Sequence, residues 1–373
     1  MRVTISTAEL LGLIQTVVDA VPSKSTLPIL SNLLVVAEDG RCRLAATDLD
    51  LSVATEIPLA IDKPGRATVP ARKMFEIVRA LPDGMLTLSE TDGRITLRSD
   101  TGEYSLLGMP ADEFPTLQEG LEGTAVKIDG ALLNRMMKKT AFAVCPDDTK
   151  PALVGVHWTV KAGETVMVAT DGHRLARISE SLDGADDLPE VKAIVPRRAL
   201  AQFEKLLTDE RPLQHVTIGE RQVWFHFTGA DLYARLIDAT YPDVETVIPD
   251  NNDQHLRISS NLLIPAAHRM DVLSSSQNHQ VRVSLRPNSV ELSTLNRETG
   301  AEAHEAVEAD YAGDETDIGY NGNYMLEILS KIDSDEVAVE FKEPVSPAIV
   351  RPVDQPEGED YFCLLMPLLL RDS

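Results

Sequence analysis

The 373-residue chain has few cysteines and no long apolar segment. Its three cysteines, Cys42, Cys145 and Cys363, show neither metal-ligand spacing nor a paired framework, which favours a reducing compartment. The first six residues form no apolar signal core, and no apolar run reaches the roughly 18 residues of a membrane span. The sequence therefore predicts a cytoplasmic protein.

The chain is also short of positive charge. Its 35 Lys and Arg residues stand against 59 Asp and Glu residues, which gives a net charge of −24. As an average, this balance argues against a nucleic-acid partner, because such proteins usually carry a basic surface. The chain further lacks a Gly-rich phosphate loop and a helix-borne pair of metal ligands. No cofactor and no metal are therefore predicted.

A hairpin signal lies in the middle of the chain, at residues 168–177. Asp171 and Gly172 separate two apolar runs, and glycine permits the positive φ that a tight hairpin turn needs. The tip has three interpretations: a satisfied surface turn, an acid–base pair of Asp171 and His173, or a docking site with an apolar floor. The acid–base pair lacks a nucleophile or metal ligand beside it. The rest of the chain favours the docking site.

Two motifs recur along the chain at intervals of about 125 residues. Residues 68–81 read as a short strand followed by an amphipathic helix, and the pattern returns at 194–207 and, more weakly, at 318–332. Residues 44–56 parallel the hairpin segment in the same way. The repeats predict three tandem domains, with the bounds 1–122, 123–250 and 251–373.

Each predicted domain repeats a unit of strand, helix and several strands. Runs of strands interrupted by single helices indicate an α+β fold with antiparallel sheets and the helices on one face. Short alternating runs at 94–98 and 223–227 are typical of strands. The predicted helices are residues 7–18, 71–81, 130–144, 196–207 and 259–273.

Positive charge is concentrated on three of these helices. Residues 71–81, 130–144 and 196–207 are each net positive within a strongly negative chain. One interpretation is a solvated helix face with a chance excess of basic residues. The other is a helix-lined basic surface that attracts phosphates locally while the rest of the exterior repels them.

Seven short motifs follow one another along the whole chain. They are Thr26-Leu-Pro-Ile-Leu30, Ala46-Thr-Asp48, Pro70-Ala-Arg-Lys73, Phe114-Pro115, Ala169-Thr-Asp-Gly-His-Arg-Leu175, Val195-Pro-Arg197 and Tyr241-Pro-Asp243. Together and in this order, they resemble the bacterial DNA polymerase III beta subunit, the replicative sliding clamp. Any one motif would be weak evidence for this family, whereas seven motifs in the same order are specific evidence.

The resemblance implies a ring-shaped, head-to-tail homodimer of three clamp domains per protomer, with sheets outside and helices lining the hole. Such a ring encircles double-stranded DNA and acts as a non-catalytic processivity factor. Its implied protein partners, which bind through short linear motifs, are the DNA polymerase III alpha subunit, the clamp-loader delta subunit, other polymerases and repair proteins. The implied sequence-independent DNA contacts are Lys24, Arg72, Lys73, Arg79, Arg135, Arg197 and Arg198. The implied dimer contacts are Tyr104, Val272 and Leu273.

The resemblance also implies a partner-peptide pocket between the second and third domains. It maps to Leu153, Thr170, Gly172, His173, Arg174, Leu175, Pro242, Thr246, Val247, Leu364, Met366, Pro367 and Leu368. Two features depart from the family pattern. Thr246 stands where the family commonly has a basic residue, and the tail after Met366 is longer and richer in leucine than usual.

Two other functions stay open on the residues alone. A metal-dependent phosphohydrolase could use Asp48, Asp50, Asp171 and His173, but it would need further ligands converging in space. A monomeric peptide-binding scaffold without DNA is the second. A hydrolysis assay would test the first, and native mass with a DNA-retention assay would test the second.

Overall fold

The computed structural model describes residues 1–116, 120–182, 184 and 188–370. Residues 371–373, the end of the Leu-rich tail, lie outside this part. Within it, six α-helices are α1 (Thr7–Val17), α2 (Ala71–Ala80), α3 (Gly130–Thr140), α4 (Arg197–Leu206), α5 (Ser260–Leu273) and α6 (Gly322–Leu329). The strands are β1 (Arg2–Ser6), β2 (Asn32–Glu38), β3 (Arg41–Thr47), β4 (Leu51–Pro58), β5 (Ile61–Lys63), β6 (Gly65–Pro70), β7 (Met85–Thr91), β8 (Arg94–Arg98), β9 (Glu103–Leu107), β10 (Thr124–Val126), β11 (Gly155–Lys161), β12 (Glu164–Thr170), β13 (Arg174–Ser181), β14 (Val191–Pro196), β15 (Leu213–Ile218), β16 (Gln222–Phe227), β17 (Ala230–Arg235), β18 (Gln254–Ser259), β19 (Gln280–Arg286), β20 (Ser289–Asn296), β21 (Ala301–Glu308), β22 (Asp310–Tyr311), β23 (Thr316–Asn321), β24 (Glu336–Phe341), β25 (Ala348–Pro352) and β26 (Glu359–Leu365).

The chain divides into two compact units. The first contains Met1–Asn134 and Arg198–Leu236, and the second contains Arg135–Arg197 and Ile237–Ser373. The first unit has a five-stranded sheet, β5-β1-β7-β8-β9, and an eight-stranded sheet, β10-β15-β16-β17-β4-β3-β2-β6. The second has a nine-stranded sheet, β14-β11-β12-β13-β26-β25-β24-β18-β22, and a four-stranded sheet, β21-β20-β19-β23. Neighbouring strands pair antiparallel, which confirms the α+β prediction.

The division into units cuts the middle repeat because its strands pair with both neighbouring repeats. In the first unit β17 pairs with β4, with Leu232 opposite Val53. In the second unit β13 pairs with β26, with Leu175 opposite Leu364. Each pairing covers strand edges that would otherwise expose unpaired backbone groups. The sequence repeat therefore predicts the number of repeating segments but not the sheets that join them.

The predicted helices are confirmed, with small shifts at their ends. α1 begins at a capping box, in which the Ser6 hydroxyl accepts from the Glu9 N–H at 3.2 Å and the Glu9 carboxylate accepts from the Ser6 N–H at 3.1 Å. The pKa of Glu9 is lowered because its carboxylate accepts hydrogen bonds from the Ser6 hydroxyl and from the Ser6 N–H. The predicted helix 130–144 is too long, because the α-helix ends at Thr140 and a 3-10 turn (Ala141–Ala143) follows.

The cysteines are buried and free, as expected for thiols without a disulfide role. Burial raises the pKa of Cys42 to about 11 and that of Cys363 to about 12. Both thiols therefore stay protonated near neutral pH and are poor nucleophiles. In the described part of the chain, no helix is long and apolar enough to cross a membrane.

Candidate functional site

The predicted hairpin at Asp171 and Gly172 is present between β12 and β13. Gly172 has φ +92°, the left-handed conformation that glycine adopts most readily. The Asp171 carboxylate accepts from the N–H groups of His173 at 2.8 Å and Arg174 at 3.0 Å. The Thr170 hydroxyl accepts from the Gly172 N–H at 3.1 Å and donates to the Arg174 carbonyl at 2.6 Å. These hydrogen bonds give the polar backbone groups of the tip partners within the turn itself.

Arg174, which the resemblance places in the partner-peptide pocket, is buried. Its guanidinium donates to the Asp171 carboxylate at 3.1 Å, to the Glu327 carboxylate, and to the Phe142 carbonyl at 2.8 Å. It also lies 4.5 Å from the centre of the Tyr324 ring. Arg174 therefore ties the hairpin to α6. His173 remains exposed beside it and stacks on Tyr324 with a centroid distance of 6.1 Å.

Three apolar residues lie side by side across neighbouring strands of the nine-stranded sheet. Leu175 on β13 stands opposite Leu364 on β26, which stands opposite Ile349 on β25. Val168 and Phe362 complete a cluster in which all five side chains are at most 5% exposed. These five side chains, called the apolar floor below, include Leu175 and Leu364 of the predicted pocket, and apolar side chains of this kind suit one or two buried anchors of a ligand.

A short segment after β17 packs against this floor. Tyr241, Val244 and Ile248 are partly buried against the cluster. The Tyr241 ring stacks on His157 with a centroid distance of 4.7 Å, and its hydroxyl donates to the Val168 carbonyl at 3.5 Å. Burial raises the pKa of Tyr241. This segment therefore closes one side of the floor.

The C-terminal tail continues from β26 along a second side. The Met366 N–H donates to the His173 carbonyl at 2.9 Å, and the Leu368 N–H donates to the Gly319 carbonyl at 2.7 Å. The Met366 side chain is 40% exposed and that of Leu369 is 79% exposed. The unusual Leu-rich tail is therefore fastened to β23 through Leu368, while Leu369 faces solvent.

The remaining predicted pocket residues lie on surface segments. Leu153 ends a 3-10 turn (Pro151–Leu153) and is half-buried, while Pro242 is exposed. Thr246 and Val247 belong to a second 3-10 turn (Glu245–Val247) and are exposed. The Thr246 hydroxyl donates to the Asp243 carbonyl at 2.8 Å. As an uncharged residue, Thr246 contributes no charge to this rim. Pro367 is half-buried after Met366.

Sequence reasoning missed several members of the floor. Val168 and Phe362 each stand two residues before a predicted pocket residue, Thr170 and Leu364, and the period-2 rule for strands would have placed them on the same face. Ile349 and Tyr241 are different. They reach the cluster through strand pairing and loop packing, and no local signal in the sequence indicates this.

Five of the seven predicted DNA-contacting cations belong to the first unit, where all five are exposed. Lys73 forms an ion pair with Glu76 at 3.3 Å, and Arg198 pairs with Asp48. Four of the five line an open cavity of about 1070 Å³: Lys24, Arg72, Arg79 and Arg198. Asp19, Asp48 and Glu76 line the same cavity, so its lining has a small excess of positive charge.

The other two predicted DNA-contacting cations belong to the second unit. Arg197 is exposed at the start of α4. Arg135 pairs with Glu180 and lies 3.3 Å from Glu359, whose carboxylate also accepts from the buried Lys139 at 2.8 Å. Burial raises the pKa of Glu180 despite its pairing with Arg135. These contacts commit Arg135 to a buried ion network, which leaves less of its charge for an external anion.

The aspartates of the hydrolase alternative have structural partners. Asp48 and Asp171 each accept backbone N–H groups in a turn and pair with an arginine. Asp50 lies 3.5 Å from Arg235. In residues 1–116, 120–182, 184 and 188–370, no group of three or more His, Cys, Asp or Glu side chains is arranged to hold a metal ion.

The predicted dimer contacts lie on an edge strand and at the end of a helix. Tyr104 is on β9, the last strand of the five-stranded sheet. Val272 and Leu273 end α5 and are 67% and 39% exposed. On β9, Leu107 is also exposed, to 64%. In the described part of the chain β9 pairs only with β8, and it therefore has a free edge.

The sequence matches three family models in tandem. They are the N-terminal domain of the DNA polymerase III beta subunit over residues 1–118, its central domain over 127–243 and its C-terminal domain over 245–368. The chain belongs to the DNA polymerase III beta subunit family. It therefore consists of three tandem clamp domains of the α+β type.

Relatives of known function and known structure match the whole chain. The beta sliding clamp of Caulobacter vibrioides is 35% identical over 99% of this chain and 100% of its own. The crystal structure of the Bacillus subtilis DNA polymerase sliding clamp has a TM-score of 0.94, at 30% identity and with full coverage of both chains. A Pseudomonas aeruginosa sliding clamp, crystallised with griselimycin, has a TM-score of 0.93 at 29% identity, over 99% of this chain and 100% of that one.

Membership of the DNA polymerase III beta subunit family decides between the functional alternatives. The family consists of sliding clamps, which are non-catalytic processivity factors of the replicative polymerase. None of these relatives supports a phosphohydrolase at Asp48, Asp50, Asp171 and His173.

Proposed function

We propose that this protein is the sliding clamp of a bacterial replicative DNA polymerase and that it works as a closed ring of two copies around double-stranded DNA. The observation that carries the proposal is the match of three clamp domains in tandem along the chain. The experiment that tests it compares retention of the loaded protein on closed circular DNA and on the same DNA cut once. A cytoplasmic location and the domain bounds 1–122, 123–250 and 251–373 belong to the same proposal.

Contact with DNA is proposed to be independent of base sequence. Exposed Lys and Arg side chains attract phosphates, which carry no sequence information. The geometry supports Lys24, Arg72 and Arg79 most strongly, because they are exposed and line the same cavity. Lys73, Arg197 and Arg198 are exposed too, whereas Arg135 is the weakest candidate because of its two carboxylate partners.

The ring is proposed to close between the first domain of one copy and the third domain of the other. The free edge of β9 near Tyr104 and the exposed end of α5 at Val272 and Leu273 support this arrangement. A heterologous contact of this kind closes when its rotation suits a ring. The four-stranded sheet also ends in a strand, β21, with one described neighbour.

Leu273→Asp is expected to convert the dimer into monomers of 40.8 kDa at low micromolar concentration. Burial of such a side chain contributes roughly 1.5–3 kcal/mol, and a carboxylate in the seam adds a desolvation cost. Native mass spectrometry measures the change. Leu262→Asp is the matched control, because Leu262 lies on the same helix and is 49% exposed, away from the proposed seam. A dimer that survives Leu273→Asp would place the contact elsewhere.

The apolar floor around Leu175 and Leu364 is proposed to receive short linear peptides of replication proteins. The proposed owners of these peptides are the polymerase alpha subunit, the clamp-loader delta subunit, other polymerases and repair proteins. Support comes from the five apolar side chains of the floor, bordered by exposed His173 and Met366. It also comes from the Pseudomonas aeruginosa relative, which binds griselimycin. Met366 suits several partners because its unbranched side chain adapts to different shapes.

Gly319→Ala is expected to weaken peptide binding roughly 5- to 10-fold, because it displaces the tail that borders the floor. A Cβ atom at this position would lie 2.7 Å from the Leu368 carbonyl oxygen and 2.9 Å from a Leu370 methyl carbon. Isothermal titration calorimetry with one peptide measures the loss. Gly12→Ala is the control, since its Cβ would meet nothing within 4 Å. Equal affinity in both variants would show that the tail's attachment to β23 does not shape the pocket.

A further inference from the structure

Leu49 has a backbone conformation that its residue type disfavours. Five non-glycine residues in the described part of the chain have positive φ, and four of them are Asp, Asn or His, which tolerate it best. Leu49 is the fifth, with φ +82°. A bulky apolar side chain in this region is strained, and strain of this kind is concentrated at sites that bind ligands.

The turn around Leu49 is built in the same way as the turn around Gly172. In each, a threonine hydroxyl accepts from the N–H two residues later, at 3.0 Å for Leu49 and 3.1 Å for Gly172. In each, the aspartate between them accepts from the two N–H groups that follow Leu49 or Gly172. Gly172, at φ +92°, meets the same requirement without strain. The turn itself therefore does not require leucine at position 49.

Packing does not require leucine there either. The Leu49 side chain is 53% exposed and lines the open cavity of about 1070 Å³ in the first unit. Leu27, 47% exposed, lines the same cavity. Two exposed apolar side chains therefore share the lining of this cavity with Lys24, Arg72 and Arg79. Neither the turn nor packing within the chain therefore accounts for a strained and exposed leucine at this position.

The charges of this cavity favour a polyanion. Its three acidic residues each have a cationic partner: Asp48 with Arg198, Asp19 with Lys205 at 2.6 Å, and Glu76 with Lys73 at 3.3 Å. Within the described residues, by contrast, no carboxylate lies within ion-pair distance of Lys24, Arg72 or Arg79. The cavity therefore keeps three uncompensated positive charges in a chain of net charge −24.

The lining of the cavity favours a nucleic-acid backbone over a peptide. The floor around Leu175 consists of five apolar side chains. At the Leu49 cavity, exposed Leu27 and Leu49 instead share the lining with Lys24, Arg72 and Arg79. A DNA backbone presents the complementary surface, because its phosphates alternate with apolar deoxyribose edges.

We propose that Leu49, with Leu27 beside it, packs against deoxyribose edges of the double-stranded DNA whose phosphates bind Lys24, Arg72 and Arg79. The proposal rests on the clamp function proposed above. Leu49 then adds a contact that does not depend on salt, while the cations supply the salt-dependent attraction. The contact reads no base and does not require unstacking, so it is compatible with sliding.

The test measures the affinity of the full-length protein for a fluorescent 30-base-pair duplex by anisotropy, from 25 to 200 mM salt. Leu49→Gly and Leu49→Ala are expected to lower affinity roughly 3- to 10-fold at every salt concentration, without changing the log–log slope. Arg72→Ala should instead reduce that slope by about 0.9, the value for one phosphate contact. Leu49→Gly should melt at or above the wild-type temperature, because glycine relieves the positive φ.

Several outcomes would overturn the proposal while leaving the clamp function intact. Unchanged affinity in both Leu49 variants is one, provided that the wild type still binds. A large fall in melting temperature in Leu49→Gly would make Leu49 a structural residue. A change in native mass would assign it to a contact between copies. Binding of a Leu- and Asp-rich peptide that depends on Leu49, with DNA affinity unchanged, would make the occupant a protein. Failure of the wild type to stay on circular DNA would instead count against the clamp function.

Discussion

Leu175→Asp is expected to lower the affinity for a peptide of the form polar–x–Leu–x–Phe by about 100-fold or more. Leu175 is 3% exposed and stands between Thr170 and Leu364 in the sheet, at the centre of the apolar floor. A carboxylate at this position would lose its hydration in the folded protein and would place a charge in the apolar floor that receives the leucine or phenylalanine anchor. Isothermal titration calorimetry against wild-type protein measures the loss.

Two further variants separate lost binding from lost folding. Met366→Ala removes a 40% exposed side chain beside the floor, so it should keep the fold and still weaken the peptide roughly tenfold. Thr246→Asp adds the same charge as Leu175→Asp at an exposed rim position and should change affinity little. If wild type and Leu175→Asp bind equally well, the partner site lies elsewhere.

Strand pairing determines where a truncation of the tail should begin. Removal of residues 364–373 would delete the last two residues of β26, and Leu364 pairs with both β13 and β25. Such a truncation would damage the sheet itself. Removal from Met366 onward leaves β26 complete and takes away only the tail fastened to β23. The dimer should survive this shorter truncation, because the proposed seam lies at β9 and the end of α5.

The loaded protein is expected to stay on closed circular DNA at least tenfold longer than on the same DNA cut once, as topological linkage does not depend on salt-labile contacts. On a cut molecule it can slide off the end. Raising salt from 50 to 200 mM should barely change retention on the circle. The same increase weakens direct binding, because the logarithm of the binding constant falls with the logarithm of the salt concentration with a slope of about −0.9 per phosphate contact. Gel filtration of DNA loaded by the cognate clamp loader measures the bound fraction.

Nicked circles are the control for this comparison, since a nick breaks one strand but leaves no end to slide from. They should retain the protein as closed circles do. Leu273→Asp, loaded in parallel, should be lost from all three DNA forms if the ring depends on that seam. Equal retention of wild-type protein on cut and closed DNA would contradict the ring.

Local sequence signals were sufficient for the elements of the fold. The spacing of Met74 and Val78 predicts the apolar face of α2, and both side chains are buried there. Asp171 and Gly172 predict the hairpin between β12 and β13, because only a few residue types accept positive φ in so tight a turn. The repeated motifs predict three domains. The helix and hairpin signals depend on interactions between residues close in the chain.

Tertiary structure decided which of these elements share a sheet and what each side chain contacts. Leu175 and Leu364 are adjacent although almost 190 residues separate them, and Ile349 joins them through β25. Arg135 and Arg174 look like surface cations in the sequence, yet carboxylates distant in the chain, Glu359 and Glu327, bind them. A periodic pattern tells which face of an element is apolar. It does not tell which other element covers that face, because strand pairing and ion pairing between distant segments depend on the folded arrangement of the whole chain.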